Sequence, residues 1–278
     1  MTHQVYYFTG TGTSIGLIKE LKSKGMEIKT FPIISPNCPK VIPRIIETVG
    51  IIYPIHMNAL PFVVQDFIRS LKSKGNPFIY VIATHGGIPG AAGTNLVQVL
   101  SNSTIDINAY YEFETINNTP KGVAPKPLMQ LDWEKNLSHE KIEVMKERVS
   151  SSISQVILDI RNREDNIEDS LLPKTKGFMP KFMKLMWALS KSKPKLEFLV
   201  DNTACSTCGI CENICLTNRI ELTDEGPKYI SDHCYYCYAC FNYCPTQAIY
   251  VKHYDKKEGR YHYPTINWQQ ISKQKSPT

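Results

Sequence analysis

Eight of the nine cysteines in this 278-residue chain fall in two runs of one pattern. The first reads Cys205-x-x-Cys208-x-x-Cys211-x-x-x-Cys215, the second Cys234-x-x-Cys237-x-x-Cys240-x-x-x-Cys244-Pro245. This is the spacing by which thiolates hold iron–sulfur cubanes. Three close cysteines close three corners only if the backbone wraps tightly, and a fourth ligand then arrives from a distance. The runs are also an internal repeat, because Thr217, Asn218, Ile220 and Leu222 after the first are answered by Thr246, Gln247, Ile249 and Val251 after the second. The rival readings are two zinc sites or a disulfide framework. Zinc ribbons pair two C-x-x-C knuckles around each ion rather than three close cysteines and a distant fourth. Cysteines in cluster-ligand spacing argue for a reducing compartment rather than a secreted scaffold.

With these residues in view, the segment from about 203 to 252 resembles the bacterial 2[4Fe-4S] ferredoxin, a small α+β domain. In that family the fourth cysteine of each run serves the other cluster. The resemblance therefore implies Cys205, Cys208, Cys211 and Cys244 as ligands of cluster 1, and Cys234, Cys237, Cys240 and Cys215 as ligands of cluster 2. Leu216 departs from the family, which usually has proline there, as at Pro245. Tyr235, Tyr236, Tyr238, Tyr243 and Phe241 are expected to keep water off the clusters rather than to form an electron wire.

A chain of this length is too long for a ferredoxin alone and suggests two domains, the larger upstream. With 42% hydrophobic residues it can bury a proper core. No apolar run approaches a bilayer span, and Val5-Tyr6-Tyr7-Phe8 leads directly into a glycine-rich turn without a signal segment. A cytoplasmic location is expected. The formal charge of +6 counts the ligand cysteines as neutral. Two cluster cores with four thiolates each add about −4 and a flavin phosphate about −2, which leaves the loaded protein near neutral. Nucleic-acid binding thereby loses its main support, and redox proteins are the expected partners.

Residues 4–8 alternate as a strand, and Thr9-Gly10-Thr11-Gly12-Thr13-Ser14 runs into a helix over 14–24. Bare N–H groups, hydroxyls and a helix N-terminus compose a phosphate cradle; an ordinary tight turn is the bland alternative. A Rossmann fingerprint or a P-loop would need glycine at Ile15, so neither is present. Further strands are expected at 27–33, 48–54, 77–84 and 105–113, helices at 61–74 and 90–101, and a short turn or helix at 40–47. From Ser138 the positions Ile142, Met145, Val149, Ile153, Val156 and Ile160 fall at helical spacing. This alternation predicts a parallel sheet with helices on both faces.

The motif T-x-T-G-x-T/S, carried by Thr9, Thr11, Gly12 and Ser14, resembles the flavodoxin phosphate loop. What it implies is a flavodoxin-like doubly wound five-stranded parallel sheet with FMN at the carboxyl ends of its strands. Thr9, Gly10, Thr11, Gly12, Thr13 and Ser14 would meet the phosphate; Pro54, Ile55, His56, Met57 and Asn58, with Thr84, His85, Gly86 and Gly87, would meet the ring. Such loops commonly carry a stacking tryptophan or tyrosine, where this chain offers His56, Met57 and Asn58. Gly86 and Gly87 are expected to let the backbone approach the ring.

The expected organisation is a flavodoxin-like domain over 1–163, a basic amphipathic connection over 164–200, a ferredoxin domain over 201–255 and a polar, peripheral tail over 256–278. Between Lys174 and Lys195 stand seven lysines and no acid, with Phe178, Phe182, Leu185, Met186 and Leu189 on one helical face. A helix docked on both domains is the leading reading there, ahead of a docking surface for an acidic redox partner and a membrane-surface helix. The long 116–137 loop is expected to cover the ring, and Cys38 to be a structural loop thiol. Joined together, the halves resemble the flavodoxin–ferredoxin fusion proteins of anaerobes. That implies electron transfer through two [4Fe-4S] clusters and FMN, with no catalytic residue assigned. The alternative is a flavin-dependent reductase of a small molecule that takes electrons from the clusters; a redox sensor is a minor third.

Overall fold

A computed structural model describes residues 3–56, 59–87, 89–119, 137–167, 171, 197–252 and 260–277. Met57, Asn58, most of the 116–137 loop and most of the 164–200 connection lie outside the described residues. Strands β1 (His3–Tyr7), β2 (Ile28–Pro32), β4 (Thr48–Pro54), β6 (Phe78–His85) and β7 (Ala109–Glu114) pair in parallel in the order β2-β1-β4-β6-β7. With the five counted in chain order, this is the flavodoxin-like 2-1-3-4-5 arrangement. Strands β4 and β6 are buried along nearly their whole length, as continuous apolar strands covered on both faces must be.

Successive residues of each strand face opposite layers. Tyr6, Ile51 and Val81 meet helices α2 (Phe62–Ser70) and α3 (Ala92–Leu100) through Val64, Phe67, Ile68, Leu96 and Val99. Val5, Ile52 and Ile82 meet α1 (Thr13–Ser23) and α4 (His139–Asn162) through Leu17, Leu21, Ile153, Val156 and Ile160. Ser138 caps α4 by accepting a hydrogen bond from the Lys141 N–H. The short turn or helix expected at 40–47 is instead β3 (Val41–Ile42), paired in parallel with β5 (Lys72–Ser73). That pairing pulls Leu71 into extended backbone, which is why α2 stops at Ser70 rather than running to 74.

The cysteine-rich half is built from two antiparallel pairs. Strand β8 (Phe198–Val200) pairs with β11 (Ile249–Val251), and β9 (Ile220–Thr223) with β10 (Gly226–Tyr229). Short helices α5 (Ile210–Ile214) and α6 (Ala239–Asn242) stand between them. A shift of 29 positions, as from Cys205 to Cys234, superposes the sequence runs, and it also maps the Phe198–Val251 pair onto Pro227–Leu222. The duplication is structural.

The segment expected to be a peripheral tail is in the core. Helix α7 (Trp268–Ser272), closed by a reciprocal cap between Asn267 and Gln270, leads into a 3-10 turn at Lys273–Lys275. Ile266, Ile271 and Gln274 are fully buried. Ile266 and Ile271 share one apolar cluster with Phe8 and Ile33 of the sheet domain and Ile214, Leu216, Ala239 and Tyr243 of the cysteine domain. Among the described residues no helix is long and apolar enough to cross a membrane.

Candidate functional site

The fold gathers the cysteines into two sets of four. Cys205, Cys208, Cys211 and Cys244 line one pocket with Ile210, Leu222 and Pro227. Cys215, Cys234, Cys237 and Cys240 line a second with Arg219, Tyr229 and Tyr238. Each set takes three cysteines from one run and the last from the other. The tight wrap comes from left-handed backbone at equivalent positions of the repeat: Thr207 and Tyr236, Gly209 and Tyr238, Asn218 and Gln247. Those turns aim N–H groups at sulfur, from Thr207 to Cys205 Sγ (3.5 Å), Tyr236 to Cys234 Sγ (3.3 Å) and Arg219 to Cys215 Sγ (3.3 Å).

Burial, reinforced by neighbouring cysteines, pushes the Cys211 thiol up to about 11 and Cys237 to about 12, and raises Cys240 as well. These sulfurs stay protonated unless a cationic core stands among them. No three His, Cys, Asp or Glu side chains among the described residues converge tightly enough for a single ion. Three cysteines of one run with a fourth from the other is the ligand set of a cubane rather than the paired C-x-x-C knuckles of a zinc ribbon. Cys38, in contrast, is a buried thiol in the apolar cluster, pushed up to about 11 by burial, and fits a structural role.

The glycine-rich loop leaves β1 and enters α1 with Gly12 as the N-cap in left-handed conformation (φ 95°). Its hydroxyls are used differently from expectation. Thr9 Oγ1 accepts from Gly12 N (3.0 Å), Ser14 Oγ donates to the Phe8 carbonyl (2.8 Å), and Thr11 Oγ1 accepts from Asn118 Nδ2. The hydroxyls of Thr9, Thr11 and Ser14 therefore shape the loop. Among the described residues the backbone N–H groups of Gly10, Thr11, Thr13, Ser14 and Ile15 find no acceptor. Free N–H groups at a helix start are what an anion nest offers; Cys237, Ile266 and Tyr263 press against Gly10, Gly12 and Gly16 of the same loop.

The loops expected at the ring are laced to one another. Ile55 N donates to the Thr84 carbonyl (2.7 Å) and Thr115 N to the His85 carbonyl (2.7 Å). Pro54 and Ile55 are half-buried and Thr84 is buried. Burial pushes His56 down to about 4, against a backbone bond with Tyr235, so its imidazole is neutral. Its ring lies 5.9 Å from Phe8 and 6.5 Å from Tyr238, and its buried Nδ1 has no partner among the described residues. His85 is also held below its ordinary value by burial, against Glu112 and Glu114. The close approach at Gly86 is to the neighbouring loop: a Cβ there would stand 2.6 Å from Asn117 Cβ. Gly87 (φ 126°) would bring a Cβ within 4 Å of none of the described residues.

What sequence reasoning missed is how closely the two halves meet. A Cβ on Gly10 would lie 2.0 Å from the Cys237 carbonyl oxygen, so glycine is required for that cysteine's turn to rest on the glycine-rich loop. Tyr235 meets Phe8 edge-on at 5.7 Å. The C-terminal segment completes the cover: Tyr263 N donates to the Thr11 carbonyl (2.8 Å), and Ile266 fills the space beside Gly12. The Asn267-x-x-Gln270 cap box, followed by a buried Ile271, is the signal that this segment folds back as structure.

The 4Fe-4S dicluster domain family matches residues 204–266. An uncharacterised ferredoxin of Methanocaldococcus jannaschii is 36% identical over 61 residues, which is 20% of this chain and 79% of that protein. Among solved structures, rubredoxin oxygen:oxidoreductase from Desulfovibrio gigas overlaps 58% of this chain at 13% identity and a TM-score of 0.32; the match spans 37% of that longer chain. A flavodoxin from the domain Archaea overlaps 57% of this chain and 99% of its own at 9% identity and a TM-score of 0.29. The flavodoxin-like assignment rests on the strand order itself. Through residues 204–266 the chain belongs to the ferredoxins of the 4Fe-4S dicluster kind, an iron–sulfur electron-transfer domain joined to a flavodoxin-like sheet.

Proposed function

We propose that the chain passes electrons between redox proteins through two [4Fe-4S] clusters and FMN. Cys205, Cys208, Cys211 and Cys244 hold cluster 1, Cys215, Cys234, Cys237 and Cys240 hold cluster 2, and the N–H groups of the glycine-rich loop hold the flavin phosphate. The single observation that supports this circuit best is the Cys237 carbonyl resting on Gly10, which sets one cysteine site against the glycine-rich loop. When bound, the clusters supply one-electron steps and the flavin one- or two-electron steps. The residues then divide the work. Phe8, Tyr238 and Ile266 keep water from the junction, while Cys208 is exposed and brings the other site to the surface where a partner docks.

The carrier reading is favoured over a small-molecule reductase by the polar groups near the ring loops. His56 is neutral and flanked by Phe8 and Tyr238, and Asn117 Oδ1 is occupied by the Thr119 N–H (2.9 Å). Among the described residues, both are engaged by neighbours of the chain itself.

Anaerobic reconstitution should give about eight irons and eight sulfides per chain, with one FMN. After one-electron reduction of the clusters, stopped-flow should show flavin reduction at a rate independent of protein concentration. Stoichiometric zinc without sulfide would remove the cluster reading. A rate that climbs with protein concentration would leave two tethered carriers instead of one circuit.

A further inference from the structure

The last 3-10 turn places two neighbouring side chains on the two halves of the junction. Gln274 is fully buried and its amide clips the first residue of the glycine-rich loop: Nε2 donates to the Thr9 carbonyl (2.9 Å) and Oε1 accepts from Thr9 N (3.0 Å). Lys275, next in sequence, donates from Nζ to the Cys215 carbonyl (2.9 Å) and to Asn218 Oδ1 (2.7 Å). Cys215 is the cysteine that crosses from the first run to the second cavity, and Asn218 is the left-handed residue that ends its turn. Ser272 Oγ fastens the same segment to the Asn213 carbonyl (2.8 Å), and Ser35 Oγ donates to the Ser276 carbonyl (2.9 Å). The equivalent turn of the other half, at Gln247, is held through its carbonyl by Arg260 (3.0 Å).

We propose that Gln274 and Lys275 are positioning residues for electron exchange across the junction, clamping the glycine-rich loop and the Cys215 turn into one frame. The proposal rests on the reading of the two sites given above. A loop and a ligand turn held by adjacent residues of one tight turn cannot drift apart, so their spacing is fixed by the C-terminal segment. Lys275 also stands as a positive charge beside the Cys215 site. Reduction adds a negative charge to that site, so the ammonium favours the reduced form.

The test uses the full-length chain, anaerobically reconstituted. In potentiometry followed by electron paramagnetic resonance, Lys275→Met should lower the potential of one cluster only, the one whose signal Cys237→Ala abolishes. Lys275→Arg should restore it. Gln274→Met should leave iron content and both potentials unchanged while weakening FMN binding about tenfold in a fluorescence titration, from the loss of two buried hydrogen bonds at the loop. Gln274→Asn, too short to reach Thr9, should behave alike. Equal shifts of both clusters, no shift, or failure of arginine to restore the potential would overturn the role of Lys275. Unchanged FMN affinity in both Gln274 variants, or loss of iron in both, would overturn that of Gln274. If the unaltered protein binds neither FMN nor inorganic phosphate, the flavin reading falls, while the potential measurement still decides on Lys275.

Discussion

The two cysteine sites have the same cage and different surroundings. Their turns, strand pairs and left-handed positions repeat at a 29-residue shift, as from Cys205 to Cys234. Yet one cage has Cys208 exposed, and the other has Cys237 against Gly10, with Tyr238 buried between Phe198 (6.3 Å) and His56. The left-handed position shows what this difference does. The first half uses Gly209 there (φ 72°) and the second Tyr238 (φ 55°), although a side chain in that conformation costs about 1–2 kcal/mol. Burying the tyrosine ring at the junction offsets the strain. Repetition specifies a cage; contact with the sheet domain makes one of the two an inner site.

The largest effect expected from breaking this comparison is loss of a whole cluster. Cys244→Ala should empty the outer site and Cys215→Ala the inner one, each lowering iron from about eight to about four per chain. Spectroscopy that assigned the Cys215→Ala damage to the site of Cys205, Cys208 and Cys211 would refute the crossed arrangement.

Next in size is a contrast between glycines. Gly10→Ala drives a methyl into the Cys237 backbone, which cannot yield as a side chain can, and should cost about 1–3 kcal/mol in denaturant unfolding of the loaded protein. Gly209→Ala meets nothing nearer than Leu222 Cδ2 at 3.6 Å, so only the left-handed penalty of about 1 kcal/mol remains. Equal costs would mean that the junction is not tightly packed.

Acid should loosen the inner site through His56. Its folded value is pushed down to about 4 from an ordinary 6.5, so the unfolded chain binds the proton first. The contribution is complete above about pH 6.5 and is lost as pH falls toward 4, with a slope of at most about 1.4 kcal/mol per pH unit. His56→Phe should flatten that part of the stability profile; an unchanged profile would place the acid sensitivity elsewhere.

The smallest effects belong to the loop hydroxyls. Because Thr11 and Ser14 bond within the protein, Thr11→Ala and Ser14→Ala should each cost about 0.5–1.5 kcal/mol of stability and change FMN affinity only modestly. A loss of FMN binding well beyond that would show that these hydroxyls turn to the phosphate when it is present.

Much of this was legible in the chain. The strands at 48–54 and 77–84 were visible because strands buried on both faces need continuous apolar runs, and the α4 stripe because a helix docked on a sheet needs period-3.6 spacing. The crossed cysteine sets followed from a ferredoxin resemblance, and the fold brings those four-residue sets together. The errors fell where partners are remote in sequence. Residues 256–278 read as a polar tail because Gln274 and Lys275 are polar, and nothing local reveals that their partners are Thr9 and Cys215. Nor does a glycine name the neighbour it lets near: at Gly86 the protein's own close neighbour is Asn117.

The sequence by itself determined the two cages and the sheet, because ligand spacing, repeat and hydrophobic period are local properties that force local geometry. Only the tertiary structure decided which cage faces inward, which donors of the glycine-rich loop remain free, and what covers them. Those outcomes depend on contacts such as Gly10 with Cys237 and Thr9 with Gln274, between residues more than two hundred positions apart, and such contacts exist only once the whole chain has packed.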